Sequence, residues 1–382
     1  MPEGPGGNIY RLDGPEGAPV LVLAGSLGTT MSVWGLQVPA LSQWRRVLRF
    51  EHPGHGQAWA PEGEGSVGAL GRRLVTLLDY LGVADVDFAG LSLGGLVGMW
   101  LALNHPARVR RLALCCTAAS FGAREAFLER AQRVRADGTA PLVKAALGRW
   151  FSQGFLSAHP EVGTEFAGML QGTDPDGYAY CCEAVANADF YSELATVDAP
   201  TLVLSGASDP VVTVEMAAAT MKALPRASLS VLAGGAHLAN VELAGAVNEA
   251  LVTHFVGSSR ERGDAARRAV LGDDHVEAAA ARASDFSRSF QDLLALWPWG
   301  EVWARPGLAK RDRRLVTIAL LAGLGRADEL EMHTREALAD GVTEEELKAV
   351  LLHVAAYAGA PAANLAFAVA DRVVRAGPRA RP

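Results

Sequence analysis

The chain has few cysteines, no long apolar run and no excess of positive charge, and each shortage excludes a class of protein. The four cysteines form two adjacent pairs, Cys115–Cys116 and Cys181–Cys182, and neither has the CxxC spacing of a zinc or redox site. We expect buried, unpaired thiols. No apolar run approaches the roughly 20 residues that a membrane helix needs, and the first residues lack the basic and apolar regions of a signal peptide. We therefore expect a cytoplasmic protein with no membrane partner.

Charge and length divide the chain into two parts. From Arg260 onward there are 18 basic and 18 acidic residues, against 17 basic and 24 acidic before it. Neither part has the basic excess of a nucleic-acid-binding domain, so nucleic acid is not an expected partner. A length of 382 residues favours two domains. The stretch "GSSRERG" has no hydrophobic period and predicts a first domain over 1–257, a flexible linker over 258–267 and a second domain over 268–382.

Short apolar segments alternate with helical segments in the first domain. Such an alternation indicates a largely parallel sheet covered on both faces by helices. The helical interruption from about 122 to 196 falls between two strands, and we expect it to form a cap over their carboxyl ends. The predicted strands are "PVLVLAG" (19–25), "RRVLRFE" (45–51), "VDFAG" (86–90), "RRLALCCT" (110–117), "PTLVLSG" (200–206) and "ASLSVLAG" (227–234).

The segment "FAGLSLGGLVGMWLAL" contains a G-x-S-x-G motif between a strand and a helix. This motif is typical of a nucleophile held on a sharp turn, here Ser92, and a Cβ at either glycine would collide with neighbouring backbone. Asp209 follows the strand 200–206, and His237 follows the strand 227–234. The chain order Ser, Asp, His at successive strand ends is that of an α/β-hydrolase triad.

An acyl-transfer site also needs donors for the developing oxyanion. The loop "AGSLGTT" (24–30) follows the first clear strand, and we expect its Leu27 amide to act with the amide of Leu93, next to the nucleophile. His52 and His55 in "EHPGHGQA" are expected to shape a loop rather than to catalyse.

Residues 8–257 resemble 3-oxoadipate enol-lactonase, a small α/β-hydrolase that opens an enol-lactone ring. Besides the triad, the resemblance rests on "AGSLGTTMSVW", "GRWFSQGF" and "GTDPDGYAYCCEAVANADF". It implies that Trp150 and Arg149 face the substrate from the cap. An alternative is that Trp150 only packs the cap core.

The second domain is helical throughout, with apolar residues three and four positions apart. The helices predicted are 273–296, 310–325, 327–341, 343–359 and a last one over "AANLAFAVADRVVRAG". His333 and His353 lie on two of them, and Tyr357 shares a face with His353. A histidine on an apolar helix is either a core group or a site residue, and the spacing alone does not decide. A basic cluster that includes Arg311 and Arg314 is either a solvated face or a carboxylate site.

Residues from about 268 onward resemble 4-carboxymuconolactone decarboxylase, above all through "WPWGEVWARPGLAKRDRRLVTIALLAGLGRADELEMHTREALADGVTEEELKAVLLHVAAYAGAPAANLAF". The related AhpD-like thiol peroxidases carry C-x-x-C-x-x-x-H, but Arg326 and Glu329 occupy the cysteine positions before His333, which excludes thiol chemistry. The resemblance implies His333 as acid or oxyanion donor, His353 and Tyr357 in support, and Arg311 and Arg314 as carboxylate ligands. It implies no cofactor or metal.

The two implied reactions are consecutive: decarboxylation of 4-carboxymuconolactone gives 3-oxoadipate enol-lactone, and hydrolysis of that lactone gives 3-oxoadipate. The expected partners are thus small lactone carboxylates, and a homo-oligomer formed through the helical domain is expected. Three alternatives stay open at this point. The first domain could be a general esterase or a cofactor-free haloperoxidase, the second could be a non-catalytic oligomerisation module, or the chain could be a binding protein.

Overall fold

The computed structural model describes residues 2–377. The chain divides into two compact units, the first ending at Val256 and the second beginning at Gly257. No helix among the described residues is long and apolar enough to cross a membrane.

The first unit is built on an eight-stranded sheet of order β1-β2-β4-β3-β5-β6-β7-β8. From β4 to β8 all neighbours are parallel, and the short strands β1 and β2 add an antiparallel edge. The strands are β1 (Glu3–Gly4), β2 (Asn8–Asp13), β3 (Val20–Ala24), β4 (Arg46–Phe50), β5 (Val86–Leu91), β6 (Val109–Cys115), β7 (Thr201–Gly206) and β8 (Ala227–Leu232).

All six predicted strands form, and the antiparallel edge is an addition. Tyr10 of β2 pairs with Phe50 of β4, and the register continues to Asp13 opposite Val47. The segment was missed because only three of its six residues are apolar and glycines flank it. Only two of the six residues of β2 are buried, so its apolar signal is weaker than that of β5, whose six residues are all buried.

Eleven α-helices accompany the sheet in the described part of the first unit. The cap, expected at about 122–196, consists of α4 to α8 between β6 and β7. The helices are α1 (Val38–Leu41), α2 (Val67–Tyr80), α3 (Leu93–Asn104), α4 (Arg124–Asp137), α5 (Val143–Trp150), α6 (Gln153–Ala158), α7 (Pro160–Gln171), α8 (Pro175–Ala186), α9 (Val214–Ala223), α10 (Ala239–Glu242) and α11 (Ala244–Val256). Short 3₁₀ turns are Pro5–Gly7, Met31–Trp34, Pro106–Arg108, Ala140–Leu142 and Leu194–Thr196.

The central sheet positions α3 and the end of β5. Phe88 of β5, Leu96 of α3 and Leu112 of β6 are fully buried, so the turn between β5 and α3 is held from both sides. The four cysteines are also buried, and none forms a disulfide. Burial raises the pKa of Cys116 and of Cys182 to about 12, so both are protonated thiols.

The second unit is all-helical in its described part. Its elements are α12 (Ser259–Leu271), α13 (Asp273–Arg282), α14 (Asp285–Leu294), a π-helix (Ala295–Trp303), α15 (Lys310–Gly323), α16 (Ala327–Ala339), α17 (Glu344–Ala358) and α18 (Ala360–Ala376). Its core contains Ile318, Leu330, Leu351 and Val369. A smaller cluster joins Val270 and Leu271 to Trp299.

Two expectations for this unit are corrected. The segment 258–267 is not a flexible linker but lies largely in α12, because Ser258 and Glu261 form a capping box at its start. A Cβ on Gly263 would lie 1.9 Å from the carbonyl oxygen of Ala295, so α12 packs closely on the π-helix. The helix predicted over 273–296 is interrupted at Ala283–Ser284, and Ser284 caps a new helix, α14.

Candidate active sites

Ser92 occupies the turn between β5 and α3 in a conformation that side chains rarely adopt. Its φ is 53° and its ψ is −113°. The flanking glycines allow this turn, because a Cβ on Gly90 would lie 2.2 Å from the carbonyl oxygen of Gly94. A Cβ on Gly94 would lie 2.2 Å from the carbonyl oxygen of Ala24 in β3. The strained turn thus projects the Ser92 hydroxyl above the carboxyl end of the sheet.

The structure brings Ser92, His237 and Asp209 into one hydrogen-bonded chain. His237 Nε2 lies 2.9 Å from Ser92 Oγ, and His237 Nδ1 lies 2.8 Å from Asp209 Oδ2. The second carboxylate oxygen of Asp209 accepts from the backbone N–H groups of Val211 and Val212, at 2.8 and 3.0 Å. All three of these side chains are buried. The acceptor-only carboxylate holds the proton on Nδ1, so Nε2 can accept the Ser92 proton.

The two amides expected to bind an oxyanion belong to the residue after Ser92 and to the loop after β3. Leu93 is the first residue of α3, and Leu27 lies in the loop after β3. In the described chain neither N–H donates to another protein group, whereas the next amide in each case is engaged. Gly94 N–H donates to Gly25 O at 3.0 Å, and Gly28 N–H donates to His55 Nε2 at 2.8 Å.

The segment after β4 holds the Leu27 loop. His52 Nε2 lies 2.9 Å from Gly25 O, and Glu51 Oε2 accepts from Met31 N–H at 2.8 Å. Burial lowers the pKa of His52 to about 4 and that of His55 to about 3, and it raises the pKa of Glu51 to about 7. The expectation that the two histidines shape a loop agrees with these contacts. The loop they shape is the one that carries the Leu27 amide.

A cavity of about 230 Å³ lies between the triad and the cap. Ser92 and His237 line it from the sheet side, and Trp150 and Arg149 line it from α5. Trp150 also makes an edge contact with Phe166, so it serves both the cavity wall and the cap core. Burial lowers the pKa of the Arg149 guanidinium, and the nearby Arg130 lowers it further.

Among the cap residues that line this cavity and were not predicted, two are polar: Arg130 of α4 and Tyr178 of α8. Burial raises the pKa of Tyr178 well above its usual value. None of the described residues that line the cavity is acidic, so the two guanidinium groups leave it positively charged. Nothing in the spacing of Arg130 along α4 indicated a site.

In the second unit His333 is buried against Trp303. Its ring stacks on Trp303 with centroids 5.9 Å apart and planes at 9°, and Trp303 stacks on Trp299. His333 Nδ1 has no hydrogen-bond partner among the described residues. Burial lowers the pKa of His333 to about 4, and Arg314 and His275 lower it further. The imidazole is therefore neutral at pH 7. The tryptophans and His275 were not singled out from the sequence.

His353 and Tyr357, which were also expected at this site, lie apart from His333. The helix α17 buries Leu347, Leu351 and Val354, which turns His353 and Tyr357 outward. Tyr357 is 83% exposed, and its ring contacts only that of His353 among the described aromatic rings. Both residues thus lie on the surface of a single chain rather than beside His333.

The two arginines expected at this site differ in burial. Arg311 is exposed and pairs with Glu346. Arg314 is fully buried, and its guanidinium donates to Asp340 Oδ2 at 2.6 Å and to Val270 O at 2.9 Å. Within residues 2–377 no group of three or more His, Cys, Asp or Glu side chains is arranged to hold a metal ion.

The sheet, the strained serine turn and the hydrogen-bonded triad define the first unit as an α/β hydrolase, and residues 18–243 match the family described as alpha/beta hydrolase fold. Residues 288–372 match the carboxymuconolactone decarboxylase family. The chain therefore belongs to the α/β hydrolase family in its first unit and to the carboxymuconolactone decarboxylase family in its second.

Individual relatives agree for both units. The 3-oxoadipate enol-lactonase 2 of Acinetobacter baylyi is 36% identical over 242 residues, which cover 63% of this chain and 90% of that protein. The 4-carboxymuconolactone decarboxylase of the same organism is 48% identical over 109 residues, covering 28% of this chain and 81% of that protein. The crystal structure of an enol-lactonase from Burkholderia xenovorans superposes with a TM-score of 0.63 at 38% identity, covering 65% of this chain and 95% of that one.

Proposed function

We propose that this chain is a bifunctional enzyme that decarboxylates 4-carboxymuconolactone to 3-oxoadipate enol-lactone and hydrolyses that lactone to 3-oxoadipate, two steps of the β-ketoadipate pathway. The observation that carries the proposal is the Ser92–His237–Asp209 chain facing a cationic cavity, on a polypeptide that also contains a carboxymuconolactone decarboxylase unit. The hydrolase domain extends to about residue 257, and the decarboxylase domain includes α12.

In the hydrolase unit Ser92 Oγ attacks the lactone carbonyl while His237 Nε2 removes its proton. Asp209 stabilises the resulting imidazolium through Nδ1. The carbonyl oxygen becomes an alkoxide that accepts hydrogen bonds from the amides of Leu27 and Leu93. Collapse of this intermediate breaks the ring C–O bond, and His237 returns the proton to the leaving enol oxygen. The acyl-enzyme therefore carries the enol, which tautomerises to the ketone. Water activated by His237 then releases the acid and restores Ser92.

The charge of the cavity supports an anionic substrate. Arg149 and Arg130 both line it, and a guanidinium binds a carboxylate through paired hydrogen bonds. The enol-lactone retains an acetate carboxylate, which Arg149 and Arg130 would bind while Ser92 attacks the lactone carbonyl. Trp150 would cover the ring as an apolar wall. A neutral ester has no group for the two arginines, so general esterase activity is the less favoured function.

In the decarboxylase unit loss of CO₂ leaves an electron pair that delocalises through the ring onto the lactone carbonyl as a dienolate, and a proton then adds at the ring carbon. His333 is neutral at pH 7 because its pKa is about 4. Of the two roles open to it, donation of an N–H to the lactone oxygen is therefore favoured over transfer of a proton from an imidazolium. The partnerless Nδ1 is the atom available to a ligand.

The Arg314 guanidinium already donates to the carboxylate of Asp340, so we assign it a supporting role rather than the binding of a substrate carboxylate. Arg311, His353 and Tyr357 are on the surface, so they can reach a substrate only where a second copy encloses them.

Exposed apolar side chains support such an assembly through the helical unit: Phe286, Phe290 and Leu293 follow one helical face of α14, and Val316, Leu320 and Leu324 follow one face along α15. We expect a homo-oligomer in the cytoplasm, and light scattering coupled to size exclusion measures its mass.

The test uses the Ser92→Ala protein, supplied with 4-carboxymuconolactone while CO₂ and the lactone product are followed. We expect CO₂ release at the wild-type rate and accumulation of the enol-lactone. The matched variant is His333→Leu, which lacks the N–H donor and should hydrolyse added enol-lactone normally while releasing CO₂ about 10²- to 10³-fold more slowly. If the wild-type protein hydrolyses the enol-lactone but never releases CO₂, the helical unit is a non-catalytic module and the proposal fails for that half.

A further inference from the structure

The oxyanion loop Gly25–Met31 is fixed by hydrogen bonds on both sides of Leu27. A trans peptide is planar, and its C=O and N–H point in opposite directions. Ser26 O belongs to the peptide that contains the Leu27 N–H, and it accepts from Thr29 N–H at 3.2 Å and from Thr29 Oγ1 at 2.9 Å. Holding this carbonyl on the Thr29 side turns the Leu27 N–H away from it.

The next peptide is held by His55 alone among the described side chains. Its N–H, that of Gly28, donates to His55 Nε2 at 2.8 Å. Gly28 has a φ of +79° and faces the cap, since a Cβ there would lie 2.9 Å from Leu170. With both flanking peptide planes fixed, the rotation of the backbone about Leu27 is fixed as well, and so is the direction of its free N–H.

His55 has the protonation state that this contact requires. Its Nδ1 lies 2.8 Å from Pro53 O and must carry the proton, because a carbonyl oxygen can only accept. Nε2 is then a bare acceptor for Gly28 N–H. The side chain is fully buried, and burial together with the neighbouring His52 keeps the pKa near 3, so the ring stays neutral at any working pH.

We infer that His55 is a positioning residue of the hydrolase site: by accepting from Gly28 N–H it aims the Leu27 amide at the oxyanion. The inference rests on the proposed acyl-transfer function of the first unit. His55 touches no reacting atom and acts only through the direction of one peptide. Its removal should therefore lower the stabilisation of the tetrahedral intermediate without weakening the binding of the substrate.

Two substitutions separate the two contacts of the ring. In His55→Asn the side-chain NH₂ can occupy the place of Nδ1 and donate to Pro53 O, but nothing reaches Gly28. In His55→Gln the amide oxygen can occupy the place of Nε2 and accept from Gly28 N–H. We expect His55→Asn to lower kcat for enol-lactone hydrolysis about 10- to 100-fold with little change in KM, since misplacing one oxyanion donor costs about this much. We expect His55→Gln to recover most of that loss.

A pair of inhibitors tests the same point without the natural substrate. Ser92 attacks the carbonyl of a carboxylate-bearing trifluoromethyl ketone, and the hemiketal that forms places an alkoxide in the oxyanion hole. The corresponding methyl ketone binds without forming this adduct. His55→Asn should weaken the trifluoromethyl ketone about 10- to 100-fold and leave the methyl ketone unchanged. If His55→Asn does not fold, Thr29→Val is the variant to measure, because it removes the hydroxyl that donates to Ser26 O. It should lower the affinity for the trifluoromethyl ketone about 2- to 10-fold and leave that for the methyl ketone unchanged.

The inference is overturned if folded His55→Asn keeps wild-type kcat and trifluoromethyl ketone affinity. It is equally overturned if both ketones weaken together and His55→Gln restores nothing, because His55 would then only stabilise the fold. Should Thr29→Val be the variant measured, equal weakening of both ketones refutes the inference in the same way. A wild-type protein that forms the trifluoromethyl adduct but leaves the enol-lactone intact contradicts the proposed substrate, and the ketone comparison still decides the role of His55.

Discussion

Replacing Asp209 by Asn should stop the hydrolase by reversing the tautomer of His237. The two oxygens of Asp209 have different partners: Oδ2 faces His237 Nδ1, and Oδ1 accepts from the N–H groups of Val211 and Val212. In the variant the amide oxygen must stay with those two donors, so its NH₂ faces Nδ1. Nδ1 then becomes an acceptor, the proton moves to Nε2, and His237 can no longer take the proton of Ser92.

The size of the effect follows from the alternative amide orientation. Turning the amide to restore the active tautomer would place its NH₂ against two buried N–H groups, at about 1–3 kcal/mol for each donor left unpaired. The total of about 2–6 kcal/mol corresponds to a loss in kcat of about 30- to 25,000-fold. KM should change little, because Asp209 is not in the lining of the cavity.

The assay is the disappearance of enol-lactone absorbance at saturating substrate. Asp198→Asn is the matched control: it makes the same chemical change in the same unit at a side chain that is 90% exposed, and it should keep the wild-type rate. The downfield proton resonance of His237 Nδ1 should be present in the control and absent from the Asp209→Asn protein. A folded Asp209→Asn protein with kcat within tenfold of wild type would refute the tautomer reasoning.

Three further predictions follow from burial and close contact. Gly94→Ala should abolish hydrolysis and lower the melting temperature, because the new methyl would lie 2.2 Å from Ala24 O, whereas Gly148→Ala meets no atom within 4 Å and should keep activity and gain up to about 1 kcal/mol of stability. His333→Leu should lower the rate of CO₂ release about 10²- to 10³-fold while kcat for lactone hydrolysis stays constant, because the variant lacks the N–H donor. Urea unfolding should show falling stability from pH 6.5 to 4, because buried histidines with pKa values of about 4 or 3 bind protons only when unfolded: His52, His55, His254 and His333. Glu51, with its pKa raised to about 7, acts in the opposite direction, but one carboxyl opposes four imidazoles; a flat profile would contradict the burial of these rings.

The hydrolase triad was accessible from sequence because its geometry follows from local rules. A strand, two glycines around a serine and two later strand ends determine where Ser92, Asp209 and His237 meet, since parallel strands end at one edge of the sheet. The cap lining was less accessible. Arg130 and Tyr178 reach the cavity through the packing of α4 on α8, and no spacing within either helix reports which residues face another element.

The helical unit shows the opposite case. Periodicity predicted most of its helices but did not decide the site, and His353 and Tyr357, which the resemblance implied as site residues, are turned outward by the packing of α17. The segment 258–267 looked like a linker because polar residues dominate it. Its capping box and the close approach of Gly263 to the π-helix make it helical nonetheless, and that approach depends on a residue more than 30 positions away. Long-range contacts of this kind leave no local pattern.

The burial of the cysteines has a practical consequence. All four thiols of the chain lie at or before position 182, each is inaccessible in the folded first unit, and the protonated form of a thiol reacts slowly with disulfide reagents. A reagent such as an aromatic disulfide can therefore modify the native protein only after the first unit opens, and it is blind to opening of the second. The wild-type sequence thus contains a built-in probe by which the unfolding of one half can be timed while the other half is left unlabelled.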